Sequence, residues 1–171
     1  MHVRDAMSAD LPAILDIYNH AVIHTTAVWN EITVDLENRA EWLAQRQAQS
    51  NPVLVATADD GAVAGYASYG TWRAWSGYRH TVEHSIYVAE TQRRRGIGRE
   101  LLSALIERAR AGRKHVMVAG IEASNAASIQ LHLGLGFECA GRFNQVGYKF
   151  GRWLDLIFMQ RQLDDGARLL P

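Results

Sequence analysis

Residues 81–110 read TVEHSIYVAE-TQRRRGIGRE-LLSALIERAR and predict a strand, a glycine-containing turn and a helix, in that order. The strand prediction rests on the β-branched and aromatic residues that end at Val88. The helix prediction rests on apolar residues that recur at the spacing of one helical face; these are Ile97, Leu101, Leu102, Leu105, Ile106 and Ala109. Free N–H groups at the start of such a helix bind phosphate oxygens. The stretch therefore predicts an anion site at the turn.

The turn itself is Arg93-Arg94-Arg95-Gly96-Ile97-Gly98. Glycine lets the backbone bend tightly and leaves room for an incoming group. Glycines before a helix also occur in plain strand-to-helix connections, so the turn alone leaves both interpretations open. The spacing of the P-loop and the third glycine of the dinucleotide-binding motif are both missing from the sequence. The turn is therefore not an ordinary nucleotide loop.

The composition indicates one globular domain, expected to span residues 1–171. The formal net charge is zero, which gives no electrostatic reason to expect nucleic acid or an anionic membrane as a partner. No apolar run approaches membrane-spanning length. Cys139 is the single cysteine, which excludes an internal disulfide and favours the cytoplasm. We expect Cys139 to be a small buried side chain in a strand.

The rest of the chain predicts alternating strands and helices. A strand over residues 2–5 is followed by a helix with Ser8 as its N-cap. A second helix is predicted over residues 35–49, with Leu36 toward the core. Strands at 53–56 and 62–67 are joined by the hairpin turn Asp59-Asp60-Gly61. The remaining strands are predicted at 115–121, 138–149 and 153–162, with a short helix from Asn125.

Two motifs resemble those of the GCN5-related N-acetyltransferases, the GNAT superfamily. Arg93-x-x-Gly96-x-Gly98 after Tyr87-Val88 is similar to its acyl-CoA motif, and residues 125–137, NAASIQLHLGLGF, are similar to its later helix and Leu-Gly-Phe ending. Residues 81–88 and the stretch GYKFGRWLD at 147–155 resemble the phosphinothricin and methionine sulfoximine acetyltransferase branch. The resemblance covers nearly the whole chain.

The resemblance implies a mixed α/β fold with a mostly antiparallel central sheet of about seven strands, flanked by about four helices. It implies acetyl-CoA as co-substrate and the α-amino group of a small amino-acid analogue as acceptor. It also implies a homodimer. An N-acetyltransferase for a protein N-terminus or a polyamine, and a non-catalytic acyl-CoA-binding module, are the alternatives. The histidines and carboxylates lack metal-ligand spacing, so no metal is expected.

The resemblance places acetyl-CoA on the turn, on the backbone of the preceding strand and on the later helix. The implied contacts are Ile86, Tyr87, Val88, Arg93, Arg94, Arg95, Gly96, Ile97, Gly98, Arg99, Asn125 and Ser128. Asn125 and Ser128 are also good helix-start residues, and capping alone would explain them.

Transfer to an amine requires a general base. Glu83 lies in an otherwise apolar and hydroxylic strand, which can raise its pKa, and the resemblance favours it as the base over a solvated or paired carboxylate. His132 stands where many GNAT members have tyrosine; we expect a supporting role, as acid or substrate contact, with a packing histidine as the alternative. Tyr87 and Tyr148 are rival proton donors.

The loop at residues 71–80, TWRAWSGYRH, is the predicted substrate wall. Aromatic faces with arginines suit an amino acid, and Arg73 can clamp a carboxylate. The predicted substrate-binding residues are Trp29, Arg73, Ala74, Trp75, Tyr78, Glu83, His84 and Ser85. Surface packing and stacking on single-stranded nucleic acid are the alternatives, and the neutral charge argues against the second.

Overall fold

The computed structural model describes residues 1–164 and contains seven strands and four α-helices. The strands are β1 (His2–Asp5), β2 (Val53–Thr57), β3 (Val63–Thr71), β4 (Thr81–Val88), β5 (Val116–Glu122), β6 (Glu138–Lys149) and β7 (Arg152–Gln162). The helices are α1 (Leu11–His24), α2 (Leu36–Ala48), α3 (Ile97–Ala111) and α4 (Ala126–Leu133). Short 3-10 helices occupy Ser8–Asp10, Ser76–Tyr78 and Glu90–Gln92. Within residues 1–164, no helix is long and apolar enough to cross a membrane.

The strands form a sheet in the order β1-β2-β3-β4-β5-β7-β6. β4 and β5 pair in parallel. Antiparallel pairing joins β1 to β2, β2 to β3, β5 to β7 and β7 to β6. The predicted mixed α/β fold is confirmed.

The chain divides into two compact units. The first comprises Met1–Tyr69 and Ser85–Leu105, and the second comprises Gly70–His84 and residues 106–164. A single domain over residues 1–171 stays a prediction, and residues 165–171 lie outside the part of the chain that the structure describes.

In the first unit, α1 and α2 cover β2 and β3 with an apolar cluster that includes Ile14, Leu43 and Tyr66. Gly65 of β3 allows a close approach by β4 and α3, because a methyl group there would lie 2.8 Å from the Tyr87 carbonyl oxygen and 3.3 Å from Ile97 Cγ2. The predicted apolar face of α3 is buried, as Leu101 and Leu102 illustrate. This packing fixes the position at which α3 begins, and with it the turn that precedes the helix.

In the second unit, β5 lies between β4 and β7 and contributes the fully buried Met117. The pairing of β4 with β5 runs from Thr81↔Val116 to Glu83↔Val118. β6 lies at the edge of the sheet and has register irregularities at Cys139/Gly141 and Phe143/Gly147. The described part of the ladder therefore leaves residues 85–88 of β4 unpaired with β5.

Three predictions about single residues are wrong. Ser8 does not cap α1, because it lies inside a 3-10 helix whose start is closed by the Asp10 carboxylate, which accepts from the Met7 N–H at 2.7 Å. Leu36 is 47% exposed, since it is the first residue of α2 and faces away from the core. Cys139 is exposed because it lies on the edge strand β6.

Candidate active site

The turn at residues 93–98, called here the anion turn, has two residues in the left-handed region of the backbone. They are Arg94, with φ 62°, and Gly96, with φ 83°. Alternating backbone handedness points successive N–H groups into a concavity that suits an anion. The Gly96 carbonyl accepts from the N–H groups of Arg99 at 2.9 Å and Glu100 at 3.1 Å, which starts α3. With the side chains of residues 93–95 exposed, the turn combines cations, a helix N-terminus and a glycine cradle that fit a pyrophosphate.

Residues 86–88 continue β4 beyond its ladder with β5. The Tyr87 ring does not stand free, since it packs 5.2 Å from the Tyr66 ring and 6.1 Å from the Tyr18 ring, measured between centroids. Burial raises the pKa of Tyr87 to about 12, while a hydrogen bond with Ser85 opposes the rise. Tyr87 is therefore a protonated phenol at neutral pH, and its role as proton donor stays a prediction.

The start of α4 confirms the capping interpretation of Asn125. Its Oδ1 accepts from the Ser128 N–H at 3.1 Å, as an N-cap side chain does. Contact of Asn125 and Ser128 with acetyl-CoA stays a prediction beside this structural role.

Glu83 is the half-buried carboxylate of β4 in the second unit. Burial raises the pKa of its carboxyl above the ordinary value, and the Arg73 guanidinium partly opposes that rise. A general base works best when its pKa lies close to the operating pH. The environment of Glu83 therefore moves this side chain in the direction that base catalysis requires.

The loop that carries Arg73 is an exposed aromatic surface. The Arg73 guanidinium lies over the Trp72 ring, 4.6 Å from its centroid. Tyr78 packs edge-on against Trp72 at 5.1 Å and against Trp75 at 6.4 Å. Trp75 is 72% exposed, and Ala74 beside it is also exposed. The loop thus presents the Arg73 guanidinium, stacked on Trp72, together with the aromatic rings of Trp75 and Tyr78.

Trp29 lies in the first unit, after α1. Its indole N–H donates to the Thr26 carbonyl at 2.9 Å, which orients the half-buried ring. Its role as a substrate contact stays a prediction.

His84 and His132 form a buried pair with Nε2 atoms 3.1 Å apart and rings stacked at 17°. Phe137 packs edge-on against both rings. His132 Nδ1 lies 2.6 Å from the Ser128 carbonyl oxygen. Because a carbonyl only accepts, the neutral His132 ring has its proton on Nδ1, so its Nε2 accepts from His84 Nε2.

Both rings of this His84–His132 pair are held in the neutral form. Burial lowers the pKa of His84 to about 3, and the neighbouring His132 lowers it further. Burial also lowers the pKa of His132, although the hydrogen bond to Ser128 opposes the change. Both ring nitrogens of His132 are engaged, so its predicted action as acid or substrate contact requires one of these contacts to open. That role, and the substrate contact of His84, stay predictions.

Glu83 and His84 are consecutive on β4, so their side chains leave opposite faces of the strand. Glu83 shares its surroundings with Arg73, and His132 shares its own with His84. The two predicted catalytic residues, Glu83 and His132, therefore have different neighbouring side chains.

Comparison with known proteins gives the family. The model for the acetyltransferase (GNAT) domain matches residues 3–158. The chain is 62% identical over 162 residues to the L-methionine sulfoximine/L-methionine sulfone acetyltransferase of Pseudomonas aeruginosa, covering 95% of this chain and 94% of that protein. It is 55% identical over 165 residues to the L-amino acid N-acyltransferase MnaT of Escherichia coli, covering 96% and 95%.

The chain belongs to the GNAT acetyltransferase family. A crystal structure of the GNAT superfamily phosphinothricin acetyltransferase of Sinorhizobium meliloti, in complex with acetyl-CoA, superposes with a TM-score of 0.96 at 39% identity and covers 99% of this chain and 92% of that one. The resemblance found in the sequence is confirmed, and this GNAT protein is an acetyltransferase. Within residues 1–164, no group of three or more histidine, cysteine, aspartate or glutamate side chains is placed to hold a metal ion.

Two features of this GNAT site were missed from the sequence. His84 and His132 are 48 positions apart, and no local pattern indicates that they pair. Gly120 lies against the Glu83 carboxylate. An isolated glycine inside a strand is a signal of close approach by another group, and it was the one available clue.

Proposed function

We propose that this GNAT enzyme transfers the acetyl group of acetyl-CoA to the α-amino group of a small amino-acid analogue, of the phosphinothricin, methionine sulfoximine or methionine sulfone type. The observation that carries the proposal is Glu83, a half-buried carboxylate with a raised pKa beside the guanidinium of Arg73. One group suits deprotonation of an amine and the other suits a carboxylate. The name of the Pseudomonas aeruginosa relative supports the same class of substrate.

Acetyl-CoA supplies an activated acetyl thioester. The anion turn binds its pyrophosphate through backbone N–H groups and through Arg93, Arg94 and Arg95. The backbone of residues 86–88 pairs with the pantetheine arm as an added strand would. The supporting observation is that the described ladder of β4 with β5 ends at Glu83↔Val118.

Glu83 takes a proton from the substrate ammonium group, directly or through water, and leaves a neutral amine with a free lone pair. That nitrogen forms the new bond to the acetyl carbon while the carbon–sulfur bond breaks, and it then releases its second proton to give the neutral amide. The electron pair of the broken bond stays on sulfur, which then needs a proton. His132, Tyr87 and Tyr148 are the candidates to supply it.

Arg73 holds the substrate carboxylate. Its planar guanidinium offers paired N–H donors that match a carboxylate, and its stacking on Trp72 limits its motion. Trp75 and Tyr78 supply aromatic faces for the rest of the substrate. Trp29, Ala74, His84 and Ser85 complete the proposed set of contacts.

The GNAT enzyme is proposed to act as a homodimer in the cytoplasm, without nucleic acid or membrane as a partner. Exposed apolar side chains on β6, on β7 and in the turn between them support self-association, because exposed apolar surface marks contact sites. They are Phe143, Val146, Tyr148, Phe150 and Trp153. The neutral net charge supports the expectation that neither nucleic acid nor a membrane is a partner, and the single cysteine supports the cytoplasm.

Release of CoA thiol with a panel of acceptors tests the proposal. The panel contains phosphinothricin, L-methionine sulfoximine, L-methionine sulfone, a polyamine and a short peptide with a free N-terminus. We expect the highest kcat/KM with one of the three amino-acid analogues. A higher value with the polyamine or the peptide would overturn the proposed substrate class.

A further inference from the structure

Gly120 of β5 lies directly beside the Glu83 carboxylate. A methyl group at Gly120 would stand 3.3 Å from Glu83 Oε1, closer than ordinary van der Waals contact. It would also stand 3.6 Å from Leu156 Cδ1 and 3.6 Å from Phe158 Cε1. A side chain at this position would therefore contact the carboxylate and two apolar groups.

The registers of the strands explain this proximity. Glu83 pairs with Val118 across the parallel β4–β5 ladder. Val118 and Gly120 are two apart on β5, so positions 118 and 120 face the same side of the sheet as Glu83. On the other side of β5, Gly120 pairs with Phe158 of β7.

The backbone does not require glycine at position 120. The residues with positive φ in the described chain include Gly61, Gly96, Gly136 and Gly151, but Gly120 is not among them. An interior strand glycine is unfavourable for the strand, since it packs no side chain. Gly120 lies two residues beyond the last described β4–β5 pair, Glu83↔Val118, and is exposed. The space that it leaves open is therefore the feature to explain.

We propose that Gly120 is a positioning residue for Glu83: the missing side chain leaves the space that the carboxylate needs to reach the substrate amine. This inference rests on the proposed role of Glu83 as general base. A methyl group at Gly120 would meet Leu156 and Phe158 at ordinary contact distance, so of these three neighbours only the Glu83 carboxylate would stand too close to it. The Glu83 carboxylate, at the end of a flexible side chain, is the group that must shift.

The test compares Gly120→Ala with Gly141→Ala. Gly141 is also a strand glycine, but a methyl group there would meet nothing within 4 Å. A misplacement of about 1 Å can cost about 10²-fold in rate, and the shift needed here is a few tenths of an ångström, for which we take about tenfold. We expect Gly120→Ala to lower kcat by about that factor while KM for acetyl-CoA stays unchanged. Gly141→Ala should keep the wild-type kcat.

The same substitution in a Glu83→Gln background separates positioning from general damage. With the base already removed, Gly120→Ala should no longer change the residual turnover. Leu156→Ala, which removes a side chain 3.6 Å from the added methyl group, should restore part of the turnover of Gly120→Ala. The double variant Gly120→Ala/Leu156→Ala also provides a second measurement if Gly120→Ala alone folds poorly.

The proposal is overturned if Gly120→Ala keeps full turnover, or if it lowers turnover by the same factor with glutamate and with glutamine at position 83. A wild-type protein without acetyltransfer, or a Glu83→Gln variant with full turnover, would instead overturn the proposed function. The two failures are therefore distinguishable.

Discussion

Glu83 and His84 are neighbours on β4, and the folded protein holds both ionisable groups toward their neutral forms. Burial raises the pKa of Glu83 and lowers that of His84 to about 3. Arg73 limits the shift of Glu83, whereas His132 adds to the shift of His84. Glu83 is thereby suited to accept a proton, and His84 to remain an uncharged hydrogen-bond donor.

Glu83→Gln should lower kcat strongly. Loss of a general base costs about 10²–10⁴-fold, because glutamine keeps the shape of the side chain but accepts no proton. The affinity for CoA, measured by calorimetry, should stay nearly unchanged. Glu138→Gln, at an exposed carboxylate of β6, is the control and should behave as wild type. Full turnover of Glu83→Gln at neutral pH would contradict the assignment of the base.

His84 should make the stability of the fold depend on pH. Its pKa falls from 6.5 in the unfolded chain to about 3 in the folded one, so between these values the unfolded state binds the extra proton. Stability should therefore decrease as the pH falls through this window, by up to about 1.4 kcal/mol per pH unit for one proton. The contribution is absent above pH 6.5, where both states are neutral.

Urea unfolding between pH 4.5 and pH 6.5 measures this effect. His84→Phe keeps a ring against Phe137 but has no titrating group, so the slope of unfolding free energy with pH should be smaller than in wild type. Equal slopes in His84→Phe and wild type would show that His84 is not the titrating group.

At the level of residues, the sequence predicted those properties of a side chain that depend on nearby residues in the chain. The raised pKa of Glu83 was indicated by the apolar and hydroxylic residues of its strand, and the cap at Asn125 was indicated because capping is a local interaction. The pairing of His84 with His132 was not predictable, since it depends on how α4 packs on β4. The exposure of Cys139 was missed for the same reason, because the edge position of β6 follows from the order of the whole sheet.

At the level of elements, the anion turn requires a left-handed backbone at Gly96, with φ +83°. Gly61, in the β2–β3 hairpin, has φ +84°. A methyl group would meet nothing within 4 Å at either glycine. A side chain would therefore be under similar backbone strain at either position, but only Gly96 is proposed to contact the pyrophosphate of CoA.

Gly96→Val should weaken CoA binding by at least about tenfold, equivalent to ~1.4 kcal/mol, because its side chain occupies the space of the pyrophosphate. Gly61→Val should bind CoA as wild type does, with a similar loss of thermal stability. Calorimetry with CoA gives the affinities. Equal affinity in both folded variants would remove the anion turn from the binding site.

The elements themselves were largely predictable. The periodicity of a strand gave the bounds of β1 and β6 correctly and those of β7 to within one residue, and Asp59-Asp60-Gly61 marked the hairpin. β3 continues to Thr71, beyond the predicted end at residue 67, because it is buried on both faces and shows no alternation. The placement of β7 between β5 and β6 is a long-range choice that no local pattern encodes.

For the whole molecule, the exposed aromatic side chains of β6 and β7, together with the family resemblance, predict a homodimer. Trp153 is 62% exposed and Phe143 is 54% exposed. Light scattering at micromolar concentration should give the dimer mass for wild type and a smaller mass for Trp153→Ser. Trp75→Ser removes a tryptophan that is 72% exposed on another segment and should remain dimeric. A wild-type protein that is only monomeric would contradict the prediction.

The most direct measurement is the site of acetylation when the enzyme acts on L-methionine sulfoximine, which has both an α-amino nitrogen and a sulfoximine nitrogen. Acetyl-CoA labelled with ¹³C in the acetyl carbonyl and NMR of the product identify the acetylated nitrogen. We predict that CoA thiol and Nα-acetyl product appear in equal amounts and that Glu83→Gln suppresses both together. Acetyl-CoA left unconsumed, or an acetyl group on the sulfoximine nitrogen, would contradict the proposed reaction.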